Sequence, residues 1–158
     1  MTGKERREKI EKIRKLPDEL EETIRGLDDQ QLNTPYGEGK WTVRQVVHHL
    51  ADSHLNAFVR MKLIATENLP ALKPYDQDEW AKLYDSTSLP VRSSVAILRG
   101  LHERWCALMD HMPEAGWGRK GMHPEHGELT VEGILNMYAN HGKNHLDQIR
   151  NLKAARKW

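Results

Sequence analysis

Residues 41–66 read WTVRQVVHHLADSHLNAFVRMKLIAT, and this stretch decides the fold. Thr42 followed three residues later by Gln45 is a capping box: the hydroxyl accepts from the Gln45 amide and the Gln side chain reaches back to the cap. Val43, Val46, Leu50, Ala57, Met61 and Ile64 then recur at helical spacing and gather on one side. The pattern runs to Thr66, and Asn68-Leu69-Pro70 ends it. Such a helix is stable only when other elements cover its apolar stripe.

The rest of the chain supplies them. Ile10, Ile13, Leu16, Leu20 and Ile24 mark a first helix from about Glu5 to Arg25. Pro17 lies inside it, so a kink or break near Lys15–Leu16 is expected. The connector from Leu27 to Lys40 carries a second capping box, Asp28 with Gln31, and then two glycines that cannot hold a long helix. Pro70 and Pro74 make the next segment a loop. Asp76 to Glu79 caps a short helix through Trp80, Leu83 and Tyr84, and Ser86–Leu89 reads as a break. Pro90 suits the first position of another long helix, reaching His111 with Val95, Leu98, Leu101, Trp105 and Leu108 as its stripe. Met112 to Leu129 is a long connection rich in glycine and proline, and Thr130 caps a last helix from Val131 to Ala154. With no strand signal and no repeat, the expected fold class is all-α: a four-helix bundle with short extra helices in its connections, one domain over residues 1–158.

Composition narrows the function classes. The 158 residues carry 24 basic and 23 acidic side chains, a net charge of +1. Neither a nucleic-acid partner nor an anionic membrane surface is expected from that balance. No apolar run is long enough for a transmembrane span, and the charged start MTGKERREKIEKIRK has no apolar signal region. Cys106 is the single cysteine, so no internal disulfide can form and a cytoplasmic location is expected.

Nine histidines are an unusual supply. His141 and His145 stand four apart in the last helix, about 40° apart around its axis and about 6 Å along it. They share a partly apolar face with Ile134, Tyr138, Gln148 and Leu152. Two inward-pointing imidazoles need partners, and a metal ion would satisfy both. A third ligand must come from another element. On the helix from Thr42, His48 projects away from the apolar side and is expected to be solvated. His49 lies at the border of that side and His54 nearer its middle, and helical geometry alone does not separate these two.

Residues 41–54, WTVRQVVHHLADSH, resemble the metal helix of the DinB/YfiT superfamily: W-[S/T]-x-x-[E/Q], then a histidine directly before a leucine. Residues 140–149, NHGKNHLDQI, match its second hallmark, the H-x3-H helix. LNTPY (32–36), RMKL (60–63), PYD (74–76), LHERW (101–105) and HP (123–124) are similar to segments of the YfiT branch in the same order, so the likeness covers roughly residues 25–150. The chain departs at its N-terminus, which lacks the proline-rich extension of that branch. That departure leaves open whether any role of the extension, such as covering a neighbouring subunit, is kept. The resemblance implies His49, His141 and His145 as ligands of one divalent transition metal per chain, zinc or nickel. It also implies a homodimer. Members of the superfamily are named metal-dependent hydrolases, and others thiol transferases of the bacillithiol type, which load a small cellular thiol onto an electrophile.

Other residues carry blander expectations. His54 is expected to be a hydrogen-bonded core or interface histidine, and His102 and His111 to lie on the surface. His123 and His126 belong to a solvated loop, with a place at the pocket mouth as the alternative. Cys106 should be a buried, inert thiol. Arg60 projects in nearly the direction of His49, where it would either hold an anionic substrate group or form a surface salt bridge. Asp52 and Asp147 project away from the neighbouring ligands, so no general base is assigned, and Gln148 is placed to hydrogen-bond a ligand. Three neutral imidazoles leave an ion its full charge and an open position, which is catalytic rather than structural design. The expected function is a metal-dependent hydrolase of a small molecule. Thiol S-transfer with a low-molecular-weight thiol is one alternative, and a non-catalytic metal-binding stress module is another.

Overall fold

A computed structural model describes residues 1–158. The capping boxes at Thr2, Asp28 and Thr42 all form. They open α1 (Gly3–Ile24), α2 (Asp29–Leu32) and α3 (Val43–Thr66). The short helices α4 (Gln77–Ala81) and α5 (Tyr84–Ser88) follow, then α6 (Arg92–Asp110), a single 3-10 turn at Glu114–Gly116, the strands β1 (Lys120–His123) and β2 (Gly127–Thr130), and α7 (Val131–Arg156). The four long helices form the bundle. α1 packs on α6 and α7, and α3 packs on the same two, so α1 and α3 sit on opposite corners.

Three local expectations are corrected. α1 runs without a break through Pro17, which is buried in the bundle. Tertiary packing of the Ile13, Leu16 and Leu20 stripe holds the helix together across the proline. Residues 86–88 belong to α5 rather than to a break, because the amides of Ser86 and Thr87 bond back to the Leu83 carbonyl. The long connection after α6 contains an antiparallel hairpin, with Lys120 opposite Thr130 and His123 opposite Gly127. This hairpin is stitched to the loop after α3: Met122 accepts from the Leu72 amide and donates to the Pro70 carbonyl, both at 2.8 Å. A side chain at Gly121 would lie 2.9 Å from Ile64, so the strand can approach α3 only with glycine there.

The apolar core is divided in two. One cluster holds Ile13, Ala57, Met61, Trp105 and Tyr138. The other holds Leu16, Leu50, Ala51, Leu98 and Leu146. The division falls between residues 51 and 57 of α3 and between 138 and 146 of α7, and the buried polar layer lies there.

Candidate metal centre

Trp41 and the Thr42 cap set the start of α3 and with it the direction of His49. The Thr42 hydroxyl accepts from the Gln45 amide at 3.2 Å, and the Gln45 side chain accepts from the Thr42 amide at 2.9 Å. Gln45 also donates to the Ala81 carbonyl at 2.8 Å, which ties α4 to the same turn. The Trp41 ring then packs against His49 with centroids 4.6 Å apart.

His49 of α3 meets His141 and His145 of α7. Their candidate ligand nitrogens all lie within 4.8 Å of one another. His49 Nε2 and His141 Nε2 are 3.3 Å apart. His145 donates from Nδ1 to the Gln148 side-chain oxygen at 2.8 Å, leaving its Nε2 bare. Burial pushes His49 and His141 down to about 3, and the neighbouring His145 adds to this. Burial lowers His145 as well, partly offset by its bond to Gln148. All three rings are therefore neutral at pH 7, as ligands must be. The spacing fits a metal: tetrahedral nitrogens at about 2.0–2.1 Å from an ion stand about 3.3 Å from each other.

Two clefts reach this cluster. One, of about 570 Å³, is bordered by Ser53, Arg60, Tyr75, His123, Tyr138 and His141. The other, of about 500 Å³, is bordered by Trp41, His49, Gln77, Asp78, His141 and His145. His141 and Gln77 border both. In the first cleft Arg60 has no carboxylate partner. It donates to the Lys73 carbonyl at 2.6 Å and stands 6.0 Å from the Tyr75 ring centre, while its Nε is buried without a partner. Of the two readings for Arg60, the structure thus places it at the pocket rather than in a surface ion pair. Asp52 borders neither cleft; its own burial and Asp85 push it up to about 6. Asp147 is engaged by Lys143 on the outside of α7.

The other histidines divide into confirmed and corrected readings. His54 is fully buried and hydrogen-bonded, as expected. His48 is not solvated: it is 5% exposed, bonded to the Ser94 hydroxyl at 2.7 Å and to the Leu89 carbonyl at 3.1 Å. α5 and the start of α6 cover the face of α3 that a simple two-sided helix would leave in water. His102 is likewise not a surface residue. It is 1% exposed and bonds to α1 and to His54. His111 is exposed, as expected. His123 is buried and His126 beside it is exposed, and both border the first cleft, so the place at the pocket mouth is the reading that holds for the pair. Cys106 is buried, and burial raises its thiol to about 11. Ser53 and Tyr138, whose hydroxyls meet at 3.1 Å beside the cluster, carried no signal in the sequence beyond Tyr138 sharing a helix face with His141.

Comparison with known proteins agrees with this picture. The family model of the DinB superfamily matches residues 12–149. A protein of Geobacillus thermodenitrificans is 46% identical over 154 residues, covering 96% of this chain and 86% of its own, and is named "Putative metal-dependent hydrolase". One from Oceanobacillus iheyensis with the same description is 45% identical over 149 residues, covering 94% of this chain and 86% of its own. The solved structure of YfiT from Bacillus subtilis, described as a probable metal-dependent hydrolase with an unusual four-helix bundle topology, superposes with a TM-score of 0.98. It is 38% identical, over 100% of this chain and 91% of that one. A mycothiol-dependent maleylpyruvate isomerase shares the fold alone: TM-score 0.72 at 15% identity, over 91% of this chain and 60% of that one.

Proposed function

The chain belongs to the DinB superfamily, and from that membership and its histidine cluster we propose that it is a metal-dependent hydrolase of a small molecule. His49, His141 and His145 hold one divalent ion in this reading, zinc or nickel. The observation that carries it is the convergence of three neutral imidazoles, two of them 3.3 Å apart, at the meeting point of two clefts. Three nitrogens alone do not complete a coordination sphere, and the clefts give access to the open side. An ion held there lowers the pKa of a bound water or thiol towards neutrality.

The chain's own groups orient the substrate. Arg60 faces the larger cleft with no carboxylate to neutralise it, which suits a substrate bearing an anionic group. The paired hydroxyls of Ser53 and Tyr138 offer a donor and an acceptor beside the reacting position. Gln148 keeps His145 in the tautomer that leaves Nε2 free. A second reading, S-transfer from a low-molecular-weight thiol, draws on one observation: His141 borders two clefts, room for a thiol on one side and an electrophile on the other. The family likeness adds a homodimer, for which light scattering at twice the chain mass is the check, and the single cysteine adds a cytoplasmic location.

The deciding experiment loads the protein with zinc or nickel and screens ester and amide substrates beside thiol-plus-electrophile pairs. Hydrolysis gives product without thiol. S-transfer gives product only with thiol, and the product carries the thiol's mass. Both must vanish on chelation and return with added metal. A metal-loaded, folded protein that turns over neither class, with its ion coordinatively closed, would leave a non-catalytic binding module instead.

A further inference from the structure

The three-histidine cluster is the end of a longer line. Ile13 lies on α1 four residues before Pro17. In an α-helix each carbonyl accepts from the amide four residues on, and proline has no amide hydrogen. The Ile13 carbonyl therefore lacks its helical donor, at a point that is buried in the bundle. α6 supplies one: His102 Nδ1 stands 2.6 Å from the Ile13 oxygen. His102 Nε2 is 2.9 Å from His54 Nδ1, and His54 Nε2 is 3.2 Å from His141 Nδ1. The line visits all four long helices and finishes at His141 Nε2, 3.3 Å from His49 Nε2.

Its far end determines its direction. A carbonyl only accepts, so His102 must carry its hydrogen on Nδ1. A neutral imidazole has one N–H, so His102 Nε2 accepts, and His54 must donate to it from Nδ1. His54 Nε2 is then bare and accepts from His141 Nδ1, which leaves His141 with a free lone pair on Nε2. We infer that Pro17, acting through the Ile13 carbonyl and the positioning residues His102 and His54, locks His141 in the one tautomer that can bind a metal between His49 and His145. The inference rests on the metal reading of those three histidines. Burial supports it at the far end by holding His102 near 4, so that ring carries no second proton at neutral pH. The opposite tautomer of His141 would reverse every bond and set a bare His102 nitrogen against the Ile13 oxygen in a site without solvent.

The tautomers are readable without metal. Long-range proton–nitrogen correlation spectra of imidazole-labelled, metal-free protein at pH 7.5 should show His102, His54 and His141 each protonated at Nδ1. Added zinc should leave His141 Nδ1 protonated. By chelator competition, His102→Leu should weaken zinc binding about 10-fold, at the low end for partners of ligands, and His102→Gln, whose amide both donates and accepts, should recover most of that. Pro17→Ala separates the relay from ordinary packing. It restores a helical amide and should raise thermal stability, yet the new amide competes for Ile13, so zinc affinity should fall. A His141 or His102 protonated at Nε2 in the metal-free wild type overturns the inference. So does wild-type zinc affinity in Pro17→Ala and His102→Leu; should His102→Leu not fold, Pro17→Ala and the wild-type spectrum decide. Failure of the wild type to bind zinc at all would instead refute the metal reading, whatever the tautomers are.

Discussion

Stripped of metal, the protein should lose stability between pH 7.5 and pH 5.5, and the histidine layer sets the amount. His49 and His141 titrate near 3 and His102 near 4 in the folded chain, because burial disfavours their charged forms. In the unfolded chain each returns to about 6.5. The folded state thus binds fewer protons, and these groups cost nothing above pH 6.5 and progressively more as pH falls from 6.5 towards their folded values. At pH 5.5 each is about one unit below its unfolded pKa, a loss of about 1.4 kcal/mol per ring and about 4 kcal/mol for the three. His48, His54 and His145 shift in the same direction and add to it. Asp52 works against them. Its folded value of about 6 lies above its usual one, so it favours the fold as pH drops, regaining about 0.8 kcal/mol by pH 5.5. The paired carboxylates Glu114 and Glu132 have lowered values and act only at more acidic pH. The histidines win: the three valued rings less Asp52 give a net loss of about 3 kcal/mol, which the other three rings only enlarge, a large share of the 5–15 kcal/mol typical of a domain. Urea unfolding in excess chelator, with a slope of about 2 kcal/mol per molar, should show the midpoint falling by at least about 1.5 M between the two pH values. A midpoint that holds steady or rises would mean that these rings are solvated in the native state, and the buried layer would be wrong.

Three further outcomes test the site and the packing around it. His49→Ala should cost zinc affinity by orders of magnitude in chelator competition, whereas His48→Ala should leave it within about twofold. The His48 change should instead lower stability by about 1–3 kcal/mol, because the Ser94 hydroxyl and the Leu89 carbonyl lose their buried partner. Gly142→Ala puts a Cβ within 2.8 Å of Leu16 Cδ1. Overpacking of about 1–3 kcal/mol should then exceed the roughly 1 kcal/mol helix-propensity gain, and calorimetry should show a lower Tm; an unchanged or higher Tm would contradict that close packing. Cys106, held near pKa 11 and buried, should react with a thiol reagent only as fast as the chain unfolds; fast labelling of native protein would contradict that burial.

The elements with local causes were legible in residue order. Capping boxes announce α2 and α3 because the donor and acceptor lie three residues apart. The stripes of α1, α6 and α7 announce helices because burial imposes their period. The hairpin carried no such mark. Its strands are only four residues each, and they pair because the loop after α3 bonds to Met122, a contact made across fifty residues of chain. The meeting of His49, His141 and His145 was reachable because two of these histidines stand one turn apart on one helix and the third sits in a recognisable motif. Arg60 was reachable as a direction on α3, but its choice between cleft and surface needed the loop that carries Tyr75.

His48 and His102 show where helical reasoning gives out. A helix read alone has one buried face and one wet face, and a polar residue off the stripe is assigned to water. α3 is covered on several sides, by α6 and α7 and by the short helices α4 and α5, so its apolar moment marks the deepest side and not the limit of burial. His102 follows Leu101 on α6 and turns to the core, where other helices give it two partners, His54 and the Ile13 carbonyl that Pro17 frees. The proline has a local signature of disruption and a distant consequence of order. Read along one chain segment it predicts a kink. Read across the bundle it frees a carbonyl, and that free carbonyl turns an inward histidine from an uncompensated polar group into the first member of a line that ends at the candidate metal site.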